Sequence, residues 1–226
     1  MTNTDQIAHR LADFLKPILS GYKYTKSKYQ FSSKKAEFKK DIILNVTCGS
    51  CGTYTISINY GVAHQEVEAI IANIEERKVD SYNRTISQNS PNVKKQNIIP
   101  YEGTTWWYPI EQDITFETKI GESIKQFLLE FVFTYFKYFS NIETIRNSTV
   151  ERDGLSMNFF PYKTVLIIDS LLNDQVHIDL YLKRLQEEVN SGYNHNILDF
   201  NLFYSKLINW KPELFKTFEL TKKEKA

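Results

Sequence analysis

The stretch 53–62, TYTISINYGV, alternates Tyr54, Ile56, Ile58 and Tyr60 with Thr53, Thr55, Ser57 and Asn59. A period of two places the first set on one face of an extended strand and the second set on the other. That is the pattern of a half-buried strand with one dry and one wet face. Two further extended runs precede it, YKYTKSKYQFS (22–32) and FKKDIILNVT (38–47), joined by the polar link SKKAE. Sequential strands with short links predict an antiparallel meander.

Helical periodicity brackets the strands. Residues 4–19 place Ile7, Leu11, Phe14, Leu15 and Ile18 on one face, with Thr4 as cap and Gly21 just past the end. Residues 64–78, HQEVEAIIANIEERK, do the same with Val67, Ile70, Ile71 and Ile74. The polar run 79–96 is expected to be a long exposed loop. Residues 97–118 are expected to be extended, and Pro100 and Pro109 keep them from the centre of a sheet. Ile114 and Phe116 suggest a fourth strand. Beyond residue 119 the expectation is helical: 121–139, a shorter helix in NIETIRNS, one starting at Pro161, then 174–189 and 195–210. The short links between the last of these predict antiparallel helix hairpins.

The fold class expected is therefore α+β. An antiparallel three- or four-stranded meander with flanking helices is followed by a helical C-terminal half. The boundary is placed between a sheet domain, 1–118, and a helical subdomain, 119–226, packed on it, with one continuous core as the alternative.

The totals fit a globular chain. The protein has 226 residues and a formal net charge of +1, with 15 Phe and 14 Tyr against 8 Gly and 6 Pro, which favours long regular elements with aromatic cores. The charge is uneven: residues 1–40 carry nine Lys or Arg against three acids, and the remainder nineteen against twenty-four. The opening MTNTDQIAHRLADF lacks a basic stretch followed by an apolar one, so no export signal is expected. The most apolar run, FLLEFVFTYF (127–136), contains Glu130 and is half the ~20 residues a membrane crossing needs. With only two cysteines, the expected location is the reducing cytoplasm, away from membranes.

Candidate chemistry is sparse. Cys48 and Cys51 lie in NVTCGSCGTYTI (45–56), where a strand rather than a helix follows the pair. A redox couple needs the helix N-terminus that stabilises a thiolate, and a zinc site needs two further ligands. His64 stands about 40 Å along the strand at ~3.3 Å per residue. The pair reads as a strand-to-strand turn helped by Gly49 and Gly52, so no metal site and no cofactor are expected. His9, His64, His177 and His195 are scattered, and HQEVE (64–68) lacks the second histidine of a metalloprotease helix. Asp169, in the apolar segment IIDS (167–170), reads as either a helix-face residue or a buried carboxylate, the former being favoured. No catalytic residue is assigned.

Two surfaces stand out. Lys23, Lys26, Lys28, Lys34, Lys35, Lys39 and Lys40 interleave with Tyr22, Tyr24, Tyr29 and Phe31. Lysines among aromatics suit phosphate tracking and base stacking. Lysine-rich strands also protect a sheet edge, and arginine, the residue best suited to bidentate contacts, is missing. The second surface is YEGTTWWYP (101–109), where Trp106, Trp107 and Tyr108 form either an interface anchor or a cover over the core.

Residues 11–75 resemble a loose group of bacterial domains of unknown function. The resemblance rests on Leu15, Gly21, Tyr22, Lys26, Ser27, Lys28, Phe31, Ile56, Ile58, Gly61, Val67, Glu68 and Ile70. Some members lie near polymorphic-toxin immunity or mobile-element genes, which implies an immunity-like or accessory role. The expected function is non-enzymatic recognition of another protein through Trp106–Tyr108 and the nearby 79–96 loop. Nucleic-acid binding through the lysine ribbon is the alternative, and an enzyme site between the two halves a second one.

Overall fold

The computed structural model describes residues 3–49, 53–79, 84–90, 105–109, 114–152, 161–193 and 195–222, with backbone alone at 107–109 and 114–117. The chain groups into two compact units, Met1–Gln65 with Arg84–Asn158, and Glu66–Asn83 with Phe159–Ala226.

In the first unit, helix α1 (Asn3–Leu15) leads into β1 (Lys23–Thr25), a single 3-10 turn at Lys26–Lys28, β2 (Gln30–Lys35), β3 (Phe38–Cys48) and β4 (Thr53–His64). All neighbours are antiparallel, and β3 and β4 stay in register from Phe38↔His64 to Cys48↔Tyr54. The expected meander is present. The far edge of β4 is shared by two short strands: β5 (Ile86–Asn89) pairs with Asn59–Val62, and β6 (Trp106–Pro109) with Thr53–Ile56. Among the described residues the sheet thus has six strands, ordered β1-β2-β3-β4-β5 with β6 on β4.

The dry face is the one alternation marked. Tyr54, Ile56, Ile58, Tyr60 and Val62 of β4 and Ile42 and Leu44 of β3 are buried. They sit with α1 and with a helical run made of α3 (Ile114–Phe127), a wide π turn (Leu128–Val132) and α4 (Phe133–Tyr138). The Tyr60 ring meets Phe127, Phe131 and Tyr135 edge-on at 6.0, 5.6 and 5.0 Å. These aromatics recur every four residues, so one helical stripe supplies all three. Each fully buried ring contributes ~1.5–3 kcal/mol. Helix α1 approaches α3 closely at Gly121, where a Cβ would stand 2.7 Å from the Phe14 ring. Helix α5 (Ile142–Glu151) follows, its N-terminus capped by Asn141, whose side chain accepts from the Glu143 N–H.

Two sequence expectations fail here. Residues 114–118 form the first turn of α3, not a fourth strand; alternation over five residues is too short to separate period 2 from period 3.6. Within the supposed exposed loop 79–96, residues 86–89 are strand β5, and Thr85, Ile86, Gln88 and Ser90 are all buried. The polarity that suggested a loop serves the sheet: Ser90 Oγ accepts the Ile58 N–H at 3.1 Å and Thr85 Oγ1 the His64 N–H at 2.8 Å. These bonds continue the β4 ladder past both ends of β5, so the buried backbone donors stay satisfied.

The second unit contains α2 from Glu66 onward (the helix spans Gln65–Ile74), α6 (Pro161–Leu172), α7 (Gln175–Asn190) and α8 (Ile197–Trp210). Pro161 opens α6 as expected, Asp174 caps α7 through the His177 N–H, and Asn196 caps α8 through the Asp199 N–H. Gly192, at φ 94°, lies just past α7 in the left-handed region that glycine tolerates. Every residue from Tyr162 to Ser170 is buried, so α6 is enclosed all round and Lys163, Thr164, Asp169 and Ser170 need partners. Asp169 is among them; it is wholly buried rather than on an exposed face.

Candidate functional site

The lysine ribbon divides by environment. Strand β1 pairs only with Gln30–Ser32, so Ser33–Lys35 lie beyond its reach on the β2 edge, where Lys34 and Lys35 are exposed. Lys34 stands directly opposite Lys39, and Ser33 opposite Lys40. Alternation then puts Lys35 and Lys40 on one face and Lys34 and Lys39 on the other. Lys39 is neutralised by Asp41 at 2.8 Å, a buried carboxylate that also accepts from Gln30. Lys40 lies over the Phe136 ring, and burial, then the charge of Lys35, lower its pKa. Among the described residues, no carboxylate pairs with Lys23, Lys26, Lys34 or Lys35. Like charges opposite each other on a sheet cost a few tenths of a kcal/mol to ~1 kcal/mol. At the Lys34–Lys39 pair the Asp41 carboxylate offsets part of that cost.

The interleaved aromatics are turned away from solvent work. Phe31 is 1% exposed and packs against Tyr24 at 4.7 Å. Tyr22 stacks on Phe133 and Phe136. The Tyr29 hydroxyl donates to Asp5, and Tyr24 Oη lies 3.0 Å from His9 Nδ1. Burial pushes the Tyr22 and Tyr24 phenols up to about 12, with Asp13 and Tyr29 adding to the effect at Tyr24. Phe31 is buried, whereas Tyr22, Tyr24 and Tyr29 are half-buried, each with its ring or hydroxyl engaged by a neighbour.

Trp106 is 7% exposed, donates its indole N–H to Ser123 Oγ at 2.9 Å, and meets Phe127 edge-on. It belongs to the core. Trp107 and Tyr108 occupy β6 opposite Thr55 and Tyr54 by backbone pairing. Of the 79–96 loop, residues 80–83 and 91–96 lie outside the described residues, as does Cys51; Cys48 is exposed and free at the end of β3.

The four histidines do not converge. His64 Nε2 is 3.4 Å from Glu37, His177 Nδ1 2.7 Å from Asp169, and His195 Nε2 2.8 Å from Glu188, while His9 meets Tyr24. No group of three His, Cys, Asp or Glu able to hold a metal occurs among the described residues. The buried Asp169 carboxylate and the part-exposed His177 form a carboxylate–imidazole pair of the kind that orients a general base. Among the described residues, no hydroxyl or thiol nucleophile bonds to His177.

One polar cluster escaped the sequence reading altogether. Lys163, its side chain 9% exposed, donates to Glu75 at 2.5 Å and reaches Asp199 at 3.1 Å. Arg77 also binds Glu75, and the Tyr162 hydroxyl donates to Asp199. Burial and then the Asp199 bond raise the Tyr162 pKa. Burial pushes the Glu75 pKa up, yet bonds from Lys163 and Arg77 outweigh it and hold that carboxyl below its ordinary value. Partners 36 and 88 residues apart leave no local signature. The cluster ties α6 and α8 to the segment after α2.

Among the described residues, no helix is long and apolar enough to cross a membrane. No family model, curated protein or solved structure matches the chain.

Proposed function

We propose that this is a non-enzymatic binding protein of the cytoplasm that docks an acidic surface of another protein, through Lys34, Lys35 and their neighbours on the β2–β3 hairpin, in an immunity-like or accessory role. One observation carries the reading. The exposed lysines lack carboxylate partners among the described residues, while Phe31 between them is buried and Tyr22, Tyr24 and Tyr29 are half-buried with a ring or hydroxyl engaged within the fold. Charge without stacking surface favours an anionic protein over single-stranded nucleic acid, because base stacking contributes ~1–3 kcal/mol per base. The β3–β4 wet face that continues from Lys34 supports this. Ile43, Asn45, Ser57 and Thr55 are half-buried and uncharged, a poor match to a uniformly charged phosphate backbone and a good one to a protein surface with an acidic rim. Edge protection explains why lysines are tolerated at Ser33–Lys35 and is compatible with docking.

The test compares two fluorescent probes of equal charge, a polyglutamate peptide and an oligothymidylate. The reading expects similar, salt-sensitive binding of both to the wild type and loss of both in Lys34→Glu/Lys35→Glu. Oligothymidylate binding two orders of magnitude tighter than the peptide would move the function to nucleic acid.

A further inference from the structure

The segment after α8 is held in an unusual way. Residues 215–222 are neither helix nor strand, yet their main chain is gripped repeatedly by side chains. Asn201 of α8 donates from Nδ2 to the Leu220 carbonyl at 3.0 Å and accepts the Leu220 N–H at 2.8 Å. Gln186 of α7 donates to the Thr221 carbonyl at 2.6 Å and accepts the Thr221 N–H at 3.2 Å. In an extended chain, consecutive residues present their N–H and C=O groups to opposite sides. The two carboxamides therefore hold both edges of one strand-like segment, each supplying the donor and acceptor that a neighbouring strand would supply. Tyr204 is a third side chain on the main chain, donating to the Lys216 carbonyl at 3.1 Å.

Side-chain anchoring is limited to a few apolar residues. Leu220 is 1% exposed, Phe218 meets Phe200 and Tyr204 edge-on, and Phe215 meets Tyr204 at 5.7 Å. Beside the segment an open groove of about 450 Å³ remains, floored by Leu182, Tyr204 and Phe218 and rimmed by Asp179 and Glu187. The hinge is short: Leu214 and Phe215 both donate to the Lys211 carbonyl at 3.1 Å, with Pro212 inside the turn.

We propose that the α7–α8 groove is a receptor for an extended polypeptide, filled in the monomer by residues 214–222 and able to take the same residues from a second copy. A second copy is the occupant the geometry favours, because its segment satisfies every clamp and presents the same three apolar anchors without change. Exchange then keeps all the bonds and alters only hinge geometry and association entropy, which is the condition for domain swapping.

The test uses the full-length protein carrying either of two N-terminal affinity tags. The two forms are mixed at high concentration and warmed below their unfolding transition, then recovered through both tags in sequence. The expected result is a mixed dimer whose yield falls at least tenfold when a peptide of residues 211–222 is present in excess. The same peptide with Leu220→Asp leaves the yield unchanged. Absence of the mixed species, or a yield insensitive to the unaltered peptide, overturns the proposal. Because the variant residue is in the peptide, no folding defect of the protein obscures the outcome.

Discussion

Lys163→Met tests the physical account of the second unit most sharply. Methionine keeps the length and packing of the lysine stem but removes the ammonium that meets Glu75 at 2.5 Å and Asp199 at 3.1 Å. Losing one partner of a fully buried pair costs ~3–5 kcal/mol. Here the carboxylates are 23% and 33% exposed, and Arg77 still serves Glu75, so solvent and a second cation compensate in part. The expected loss is about 2–3 kcal/mol at neutral pH. The pH dependence follows from the depressed pKa of Glu75. A depressed carboxyl contributes stability that is present above its unfolded value, ordinarily 4.5, and disappears as pH falls through the lower folded value. The difference between wild type and variant therefore shrinks on acidification below pH 4.5. Urea unfolding followed by circular dichroism at a series of pH values measures both. A difference under ~0.5 kcal/mol at neutral pH, or one that stays constant on acidification, would refute the reasoning. The matching variant of the exposed Lys206–Glu76 pair serves as control and should show no measurable change.

Other outcomes follow from single contacts. Gly61→Ala places a Cβ 2.7 Å from the Ile86 carbonyl oxygen of β5 and 2.9 Å from Ser87 Cβ. Backbone cannot yield cheaply, so a loss of about 1–3 kcal/mol is expected, with hydrogen exchange accelerating first at 86–89. Tyr60→Phe removes a buried hydroxyl that has no hydrogen-bond partner among the described residues, and its melting temperature should match or exceed the wild type. Trp106→Phe deletes the indole bond to Ser123 and some core volume, for a loss of about 1–2 kcal/mol in denaturant unfolding.

The elements the sequence made legible are those whose own side chains declare their environment. Strand β4 alternates because one face is dry, and α5, α7 and α8 start at Asn141, Asp174 and Asn196 because exposed N–H groups need acceptors. Strand β5 was hidden because Thr85, Gln88 and Ser90 are buried for their hydrogen-bonding capacity, which composition reads as solvent exposure. Helix α3 was misread at its start because Ile114, Thr115 and Phe116 carry β-type residues into a first turn. Of the candidate surfaces, the lysines were identifiable by type, but which of them are neutralised depended on Asp41 and on strand register. The Lys163 cluster and the two carboxamide clamps join residues 19 to 88 positions apart, and no spacing rule reaches so far.

The central claim is that the β2–β3 hairpin meets a protein. Its most direct test places a photo-crosslinking amino acid at position 33, between β1 and the lysines, in cells that make the protein. The account predicts an adduct that protease removes, nuclease leaves intact, and Lys34→Glu/Lys35→Glu abolishes. An adduct digested by nuclease, or one that persists in the charge-reversed variant, would contradict it.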